Sequence, residues 1–136
     1  MKGPLATIDG LVAATNRHDL DALVACFADD YVNETPLHPA QGFSGNAQVR
    51  RNWAQIFSFV PDVEARVMRS AVDGDVVWSE WEMTGTRKDG TAHRMSGVIL
   101  FGVQDGLIQW ARFYLEPVDA GSASVDEAVR RQVVRE

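Results

Sequence analysis

The chain has 136 residues, enough for one ordinary domain with its own core, and its 46% apolar and 24% charged residues are typical globular values. Its formal net charge of −6 argues against nucleic acid or an anionic membrane as partner, because both reward clustered Lys and Arg. The single cysteine, Cys26, excludes an internal disulfide and fits a reducing compartment. We expect its thiol to be inert, since it lies in an apolar helical pattern.

The beginning of the chain favours a soluble, cytoplasmic protein. Residues 1–4 lead directly into a polar-faced helical pattern and lack the continuous apolar core of a signal peptide. No apolar run approaches the ~18 residues that a membrane span requires.

Apolar periodicity predicts two helices near the start of the chain. The first should end near residues 16–17, and Asp19 is a candidate N-cap for the second, which we expect Asp29 and Asp30 to close. The apolar positions that share a face are Ile8, Leu11, Val12 and Thr15 in the first helix and Leu20, Leu23, Val24 and Phe27 in the second.

A strand, a loop and a third helix should follow. The strand is predicted at residues 31–35, and residues 36–42 contain two prolines and a glycine, which is typical of a stiff loop at a rim or lid. Ser44 is a candidate cap for the third helix, which should end at Pro61. The apolar stripe of this helix, either core or cavity wall, consists of Val49, Trp53, Ile56 and Phe57.

Residues 62–117 predict a four-stranded antiparallel meander. Apolar-alternating segments are separated by turn sequences at 73–74, 87–90 and 104–106, each containing Asp-Gly, which is among the strongest hairpin signals. Because such a sheet has one apolar face to cover, we expect the N-terminal helices to pack across it in an α+β fold.

Strand parity decides which side chains face the covered side of the sheet. We assign Trp81, Met83, Ile99 and Phe113 to it. The opposite face then carries Glu80 and Glu82, which we expect to form cross-strand charge pairs with Arg94 and Arg112. That face also carries Trp78 and Trp110, too apolar for free solvent, and therefore predicts a homodimer through the sheet.

The C-terminal segment is predicted to lie outside the main domain. We place the domain at residues 1–118 and a linker with a short amphipathic helix at 119–136. Ser124 and Glu127 have capping-box spacing at the start of that helix. Its docking site is left open by the sequence.

The order of the predicted elements resembles that of the nuclear transport factor 2-like superfamily. Residues 18–23 (HDLDAL) and 27–32 (FADDYV) resemble the opening of ketosteroid isomerases and SnoaL-like polyketide cyclases. Residues 33–40 (NETPLHPA) resemble the strand-to-loop passage of limonene-epoxide hydrolases. Residues 105–116 are similar to the terminal strand of the family.

This resemblance covers residues 5–117 and implies a cystatin-like cone, in which a curved antiparallel sheet and the N-terminal helices enclose a deep apolar pocket. It specifies the fold more than the function, since the same fold hosts hydrolases, isomerases, dehydratases, cyclases and non-catalytic binders.

The catalytic sets that the resemblance implies are not matched here. The positions of the isomerase base, oxyanion Tyr and partner acid hold Thr35, Leu11 and Ile99. The positions of the epoxide-hydrolase Arg and two Asp hold Trp81, Met83 and Phe113. A shift of the strand by one residue would instead offer Glu80 and Glu82, which the parity argument disfavours.

Two residues remain as candidates for proton transfer. Glu34 lies at the mouth-side end of the first strand, where desolvation against Trp53 and Phe57 would raise its pKa; the alternative is a rim carboxylate paired with a nearby arginine. His93 lies on the inward face and titrates near neutrality; the alternative is a solvent-exposed strand end.

The predicted substrate-binding residues are the polar and apolar side chains expected to line the pocket. They are Tyr31, Asn33, Trp53, Phe57, Ser79, Trp81, Met83, Met95, Ile99 and Phe113. The sequence shows neither a His pair at metal-ligand spacing nor a Gly-rich phosphate motif, so we expect no metal and no cofactor.

Three functions are compatible with these features. The first is a SnoaL-like, cofactor-independent isomerase, cyclase or hydratase acting on a hydrophobic carbonyl or polycyclic substrate. The second is a non-catalytic binding protein for a small apolar ligand, and the third is a dimeric interaction domain that uses the outer sheet face.

Overall fold

A computed structural model describes residues 3–134. Within this range the helices are α1 (Pro4–Asn16), α2 (Leu20–Val24), α3 (Asn46–Phe59) and α4 (Val125–Val133). The strands are β1 (Phe27–Glu34), β2 (Phe43–Ser44), β3 (Glu64–Asp73), β4 (Val76–Thr86), β5 (Ala92–Gln104) and β6 (Leu107–Pro117). A single 3-10 turn, Pro39–Gln41, lies between β1 and β2.

The strands form one mixed sheet in the order β2-β1-β6-β5-β4-β3. The meander β3–β6 is antiparallel throughout, as the sequence predicts. The strand β1 pairs in parallel with β6 and antiparallel with β2. The sheet therefore has six strands and one parallel pair, whereas the predicted meander has four strands and is antiparallel. The α+β cone, with helices packed across a curved sheet, is confirmed.

The second helix is shorter than its apolar periodicity predicts. Asp19 caps it as expected, its Oδ1 accepting a hydrogen bond from the backbone N–H of Ala22 at 3.1 Å. The helix ends at Val24, and Asp29 and Asp30 lie in β1 instead of closing it. The reason is tertiary: the backbone N–H of Ile108 in β6 donates to the carbonyl of Cys26 at 2.8 Å, which draws the chain into the sheet.

The start of α3 also differs from the prediction. Ser44 belongs to β2, where it pairs with Val32, and the residue before the helix is Gly45, at a positive φ of 91°. The Gly45 N–H donates to the carbonyl of Tyr31 at 2.6 Å. The strand pairing therefore takes the serine that would otherwise cap the helix.

The strand parity predicted for the meander is correct. Trp81 and Ile99 are 1% exposed and Met83 is 7% exposed, all on the face covered by the helices. The Trp81 Nε1–H donates to Ser79 Oγ at 2.7 Å, and that hydroxyl donates to the Ile99 carbonyl at 2.8 Å. These two hydrogen bonds satisfy the indole N–H of Trp81, the hydroxyl of Ser79 and the carbonyl of Ile99, as buried polar groups require.

The predicted charge pairs on the outer face do not form. Glu80 instead pairs with Arg69 of β3, Oε1 to Nε at 2.8 Å. The register sets Arg94 opposite Thr84 and Arg112 opposite Leu100, so neither guanidinium lies directly across from Glu80 or Glu82. Parity identified the face correctly, but the pairing along the strands depends on the register.

Side chains at the C-terminal end of α1 fasten the helices to the edge strand. The Asn16 side chain donates to the carbonyl of Ala65 at 3.0 Å and accepts from its N–H at 2.7 Å. His18 Nε2 lies 2.8 Å from the carbonyl of Val63. These bonds hold the helical layer at the β3 side of the sheet.

The C-terminal helix begins as the sequence predicts and makes few contacts. Ser124 Oγ accepts a hydrogen bond from the Glu127 N–H at 3.2 Å. Val125 is 79% exposed, and Val129 and Val133 are also exposed. The division of the chain into residues 1–118 and 119–136 stays a prediction. Across residues 3–134, none of the helices combines the length and the apolar character needed to cross a bilayer.

Gly97 marks a close approach of two backbones in the centre of the sheet. It lies between Trp81 and Leu115 on the neighbouring strands and has a φ of +151°. A Cβ built on it would lie 2.0 Å from the carbonyl oxygen of Tyr114, a backbone atom that cannot turn aside. Only glycine therefore fits here.

We expect Gly97→Ala to lower the free energy of unfolding by at least about 3 kcal/mol, because β5 and β6 must separate to admit the methyl group. Gly10→Ala is the matched control: Gly10 lies in α1, and its Cβ would meet nothing within 4 Å. That change should be neutral or stabilising by up to about 1 kcal/mol. Urea denaturation of both variants measures the difference, and equal stabilities would refute the account of Gly97.

Candidate active site

A cavity of about 790 Å³ lies between α3, the inner face of the sheet and the loop after β1. Its size falls in the range of small-molecule sites. The apolar lining residues are Phe27, Phe43, Val49, Trp53, Ile56, Met83, Met95, Phe113, Leu115 and Pro117. The polar lining residues are Tyr31, Asn33, Thr35, His38, Gln41, Gln48, Asn52, His93 and Glu116, and Gly42 completes the wall.

Two inward-facing residues of β1 form a buried polar pair in this cavity. Tyr31 OH donates to Asn33 Oδ1 at 2.7 Å, and both residues are buried. Burial raises the pKa of the Tyr31 phenol far above its ordinary value, so this hydroxyl stays protonated. Because the bond occupies the amide oxygen of Asn33, its NH₂ group remains to donate to a ligand.

His93 contributes an imidazole from the start of β5. It lies opposite Gly85, shares its face with Met95 and lines the cavity. Desolvation, followed by the positive charge of Arg87, holds the pKa of His93 below its ordinary 6.5. The ring is therefore neutral at pH 7 and can accept a proton.

A histidine–glutamate pair lies at the mouth of the cavity, where both side chains are partly exposed. His38 Nε2 lies 2.5 Å from Glu116 Oε1, and both residues line the cavity. His38 comes from the loop after β1 and Glu116 from the end of β6. The two are 78 positions apart in sequence, so local motifs give no sign of the pair.

Helix α3 adds a short polar row at the cavity wall. Gln48 Nε2 donates to Asn52 Oδ1 at 2.8 Å, and Arg51 donates to Gln48 Oε1 at 2.6 Å. These bonds fix both amides, whose side chains are one helical turn apart. The sequence reading, which followed the apolar stripe of α3, missed this row.

The structure brings most of the predicted binding residues to the cavity. Tyr31, Asn33, Trp53, Met83, Met95 and Phe113 line it. Ser79, Trp81 and Ile99 are buried on the same sheet face but do not reach the cavity. Phe57 packs behind it, its ring 5.5 Å from that of Trp53 and 5.3 Å from that of His18.

The environment predicted for Glu34 is wrong. Its neighbour Asn33 points inward, and the alternation of β1 places Glu34 on the exposed face, away from Trp53 and Phe57. The alternative pairing with Arg50 or Arg51 is not seen either: Arg50 binds Asp21 at 2.8 Å, and Arg51 donates to Gln48 at 2.6 Å. Glu34 therefore has no geometric basis for proton transfer inside the cavity.

Glu116 was missed because of strand parity. Alternation along β6 assigns it to the outer face with Arg112 and Tyr114. The strand β1 ends at Glu34, which pairs with Arg112, so β6 runs on past the end of its neighbour. The Glu116 side chain consequently meets the loop that carries His38 rather than another strand.

Metal binding has no visible basis in the part of the chain that the structure covers. Within residues 3–134, no group of three or more His, Cys, Asp or Glu side chains is arranged to hold an ion. The lone Cys26 is half-buried, and burial raises the pKa of its thiol, which disfavours the reactive thiolate.

Solved structures show the same architecture. Wild-type IdmH of Streptomyces antibioticus, described as a candidate polyketide cyclase, is 25% identical, with a TM-score of 0.73 over 84% of this chain and 92% of its own. A loop-truncation variant of IdmH is 28% identical, with a TM-score of 0.70 over 82% and 91%. An LEH-like epoxide hydrolase of M. tuberculosis, 20% identical, has a TM-score of 0.71 over 83% and 82%, and shows likeness of fold alone.

Sequence comparison gives the family directly. No curated protein matches the chain. The family model described as a SnoaL-like domain matches residues 8–111, which span most of α1, all of α2 and α3, and most of the sheet. The chain therefore belongs to the SnoaL-like domain family of the nuclear transport factor 2-like superfamily.

Proposed function

We propose that the protein is a cofactor-independent enzyme of the isomerase, cyclase or hydratase type, acting on a hydrophobic carbonyl or polycyclic substrate. Its family membership and its likeness to IdmH support this class of small-molecule chemistry. The observation that carries the proposal is a neutral imidazole, His93, on the wall of a largely apolar cavity of about 790 Å³.

Residues of the cavity have complementary roles in this proposal. The apolar walls, including Trp53 and Phe113, bind the ring system and exclude water. Asn33, oriented by Tyr31, donates its free amide hydrogens to a polar group of the substrate. His93 takes a proton from the carbon next to the carbonyl group, the step that isomerisation and ring closure of such compounds share.

The epoxide-hydrolase alternative is not favoured by the site. The positions that would carry its charged groups hold Trp81, Met83 and Phe113, and all three face the inner side of the sheet. Glu80 and Glu82 alternate with buried residues and lie on the other face. A shift of the strand by one residue, which would have brought them inside, is thereby excluded.

We expect the protein to catalyse exchange of the α-protons of a bicyclic ketone, 1-tetralone, with solvent deuterium, followed by NMR in D₂O. Replacing His93 by Asn removes the base but keeps a polar side chain. This change should lower the exchange rate about 100-fold or more, the usual contribution of a general base. An unchanged rate would remove His93 from the mechanism.

Two comparisons make this measurement specific. Glu34→Gln, on the exposed face of β1, should leave the rate within about twofold, and a large loss there would restore the carboxylate as the base. The pH profile should also follow His93. Since the pKa of His93 is lowered, the fall in rate on the acid side should be centred below pH 6.5, where the imidazole becomes protonated.

A second candidate function is binding of an apolar ligand without turnover, which the apolar lining favours.

Whether the protein is an enzyme or a binding protein, Trp53→Ala should weaken the affinity for the neutral fluorescent probe N-phenyl-1-naphthylamine about tenfold. Loss of about 60 Å² of apolar contact at about 25 cal/mol/Å² corresponds to about 1.5 kcal/mol. Fluorescence titration measures the affinity.

Phe59 provides the matched control for this titration. It is an exposed aromatic residue of the same helix that does not line the cavity. Phe59→Ala should leave the affinity unchanged, and equal losses in both variants would place the probe outside the cavity. Binding of the probe without exchange of 1-tetralone would favour the binding protein over the enzyme.

We also propose a homodimer through the outer face of the sheet. Trp78 is 48% exposed on that face, and Met68 and Tyr114 are exposed there too. Glu82 and Arg112 have no ion pair within residues 3–134, so the face offers both signs of charge to a second copy. A two-fold axis could pair them across the interface.

Light scattering should therefore give the mass of two chains. Trp78→Glu should shift the protein to one chain, because a charge replaces the apolar centre of the interface. Phe59→Glu, which adds the same charge at an exposed aromatic residue off the sheet, should remain dimeric. A wild-type mass of one chain would refute the dimer.

A further inference from the structure

The His38–Glu116 pair is placed like a functional group rather than a surface ion pair. Both side chains line the cavity and remain partly exposed to it, and Nε2 lies 2.5 Å from Oε1. A carboxylate is an acceptor only, so the hydrogen in this contact is carried by Nε2. The imidazole is consequently held in one orientation by Glu116.

The loop that carries His38 is fixed by its own hydrogen bonds. The His38 N–H donates to the Thr35 carbonyl at 2.8 Å, and the His38 carbonyl accepts from Thr35 Oγ1 at 2.8 Å and from the Gln41 N–H at 2.9 Å. Pro36 and Pro39 restrict the backbone on either side. Glu116 is held by β6, where it pairs with Ser96. Both members of the pair are thus preorganised.

One nitrogen of His38 remains for a ligand. Nε2 is engaged by Glu116, and Nδ1 makes no hydrogen bond to any of the residues from 3 to 134. In a protonated imidazole both nitrogens carry hydrogen. Nδ1–H is then a donor available at the cavity mouth, while the carboxylate balances the positive charge.

The pair and His93 approach the cavity from different positions along the sheet. Glu116 pairs with Ser96 of β5, and His93 lies three residues further along that strand, beyond the end of β6. At about 3.3 Å per residue this separates the two positions by about 10 Å along the strand direction. The side chains of His38 and His93 must therefore converge from these positions on a carbonyl group and the carbon bonded to it.

We propose that His38, held by Glu116, is the group that binds and protonates the substrate oxygen while His93 takes a proton from carbon. This assignment rests on the proposed function and extends it to an acid at a defined atom, Nδ1. It also orients the substrate, with its carbonyl oxygen near the loop of residues 36–42 and its α-carbon near His93.

The step balances as follows. His93 takes the α-proton, and the C–H bonding pair becomes the carbon–carbon π bond. The carbonyl π pair moves to oxygen, which receives the proton from His38 Nδ1. The products are an enol, a protonated His93 and a neutral His38 that is still bonded to Glu116. Reversal after exchange of the His93 proton with D₂O returns deuterium to the carbon.

The experiment compares His38→Asn, Glu116→Gln and the double variant in the 1-tetralone exchange assay. We expect a loss of about 100-fold in kcat for His38→Asn, with KM changed less than about threefold, because the donor acts mainly on the developing oxyanion. Glu116→Gln should lose about tenfold. The double variant should be no slower than His38→Asn alone, since Glu116 acts through His38.

Glu127→Gln, on the exposed helix α4, is the matched carboxylate control and should keep the wild-type rate. A structural role of the pair would instead give losses that track melting temperature and add in the double variant, and this would overturn the proposal. Wild-type rates in both single variants would also overturn it while leaving His93 and the proposed function intact.

NMR provides a readout that does not require turnover. In ¹⁵N-histidine-labelled protein, 1-tetralone should shift the Nδ1 resonance of His38, and this response should be lost in His38→Asn and reduced in Glu116→Gln. A shift without exchange would support His38 as the oxygen-binding group and refute the enzyme. Exchange with no shift at Nδ1 would overturn the assignment of His38.

Discussion

The parallel pairing of β1 with β6 is the constraint on which the candidate site depends. It sets Asn33 beside Ala111 and Glu34 beside Arg112, and so fixes how far β6 extends beyond its neighbour. The loop that follows β1 must then cross over the free end of β6. In this way a histidine from the first third of the chain meets a glutamate from the last strand.

The cavity combines a closed sheet floor with partly exposed histidines in its lining. Buried residues such as Trp81 and Ile99 close the sheet floor. The Ser79 hydroxyl accepts a hydrogen bond from the Trp81 indole and donates one to the Ile99 carbonyl. Titratable groups stand at the mouth, where His38 and His93 keep contact with water. This arrangement lets an apolar ring system be desolvated while proton exchange with solvent continues at the rim.

The helical layer and the sheet support each other at the opposite side. The two hydrogen bonds between Asn16 and Ala65 tie α1 to the edge strand. The contact at Gly97 allows β5 and β6 to approach closely in the centre of the sheet. The predicted effect of adding one methyl group there reflects how little space the packed sheet leaves.

Much of the fold could be predicted from the sequence, because it depends on local periodicity and turn chemistry. Alternation along β4 and β5 identified the buried face through Trp81 and Ile99, the Asp-Gly turns identified the hairpins, and Asp19 and Ser124 identified two helix caps. The tertiary structure alone decided the end of α2, the placement of Glu34 outside the cavity and the pairing of His38 with Glu116. These depend on the register between strands that are distant in sequence, and no local pattern of side chains records that register.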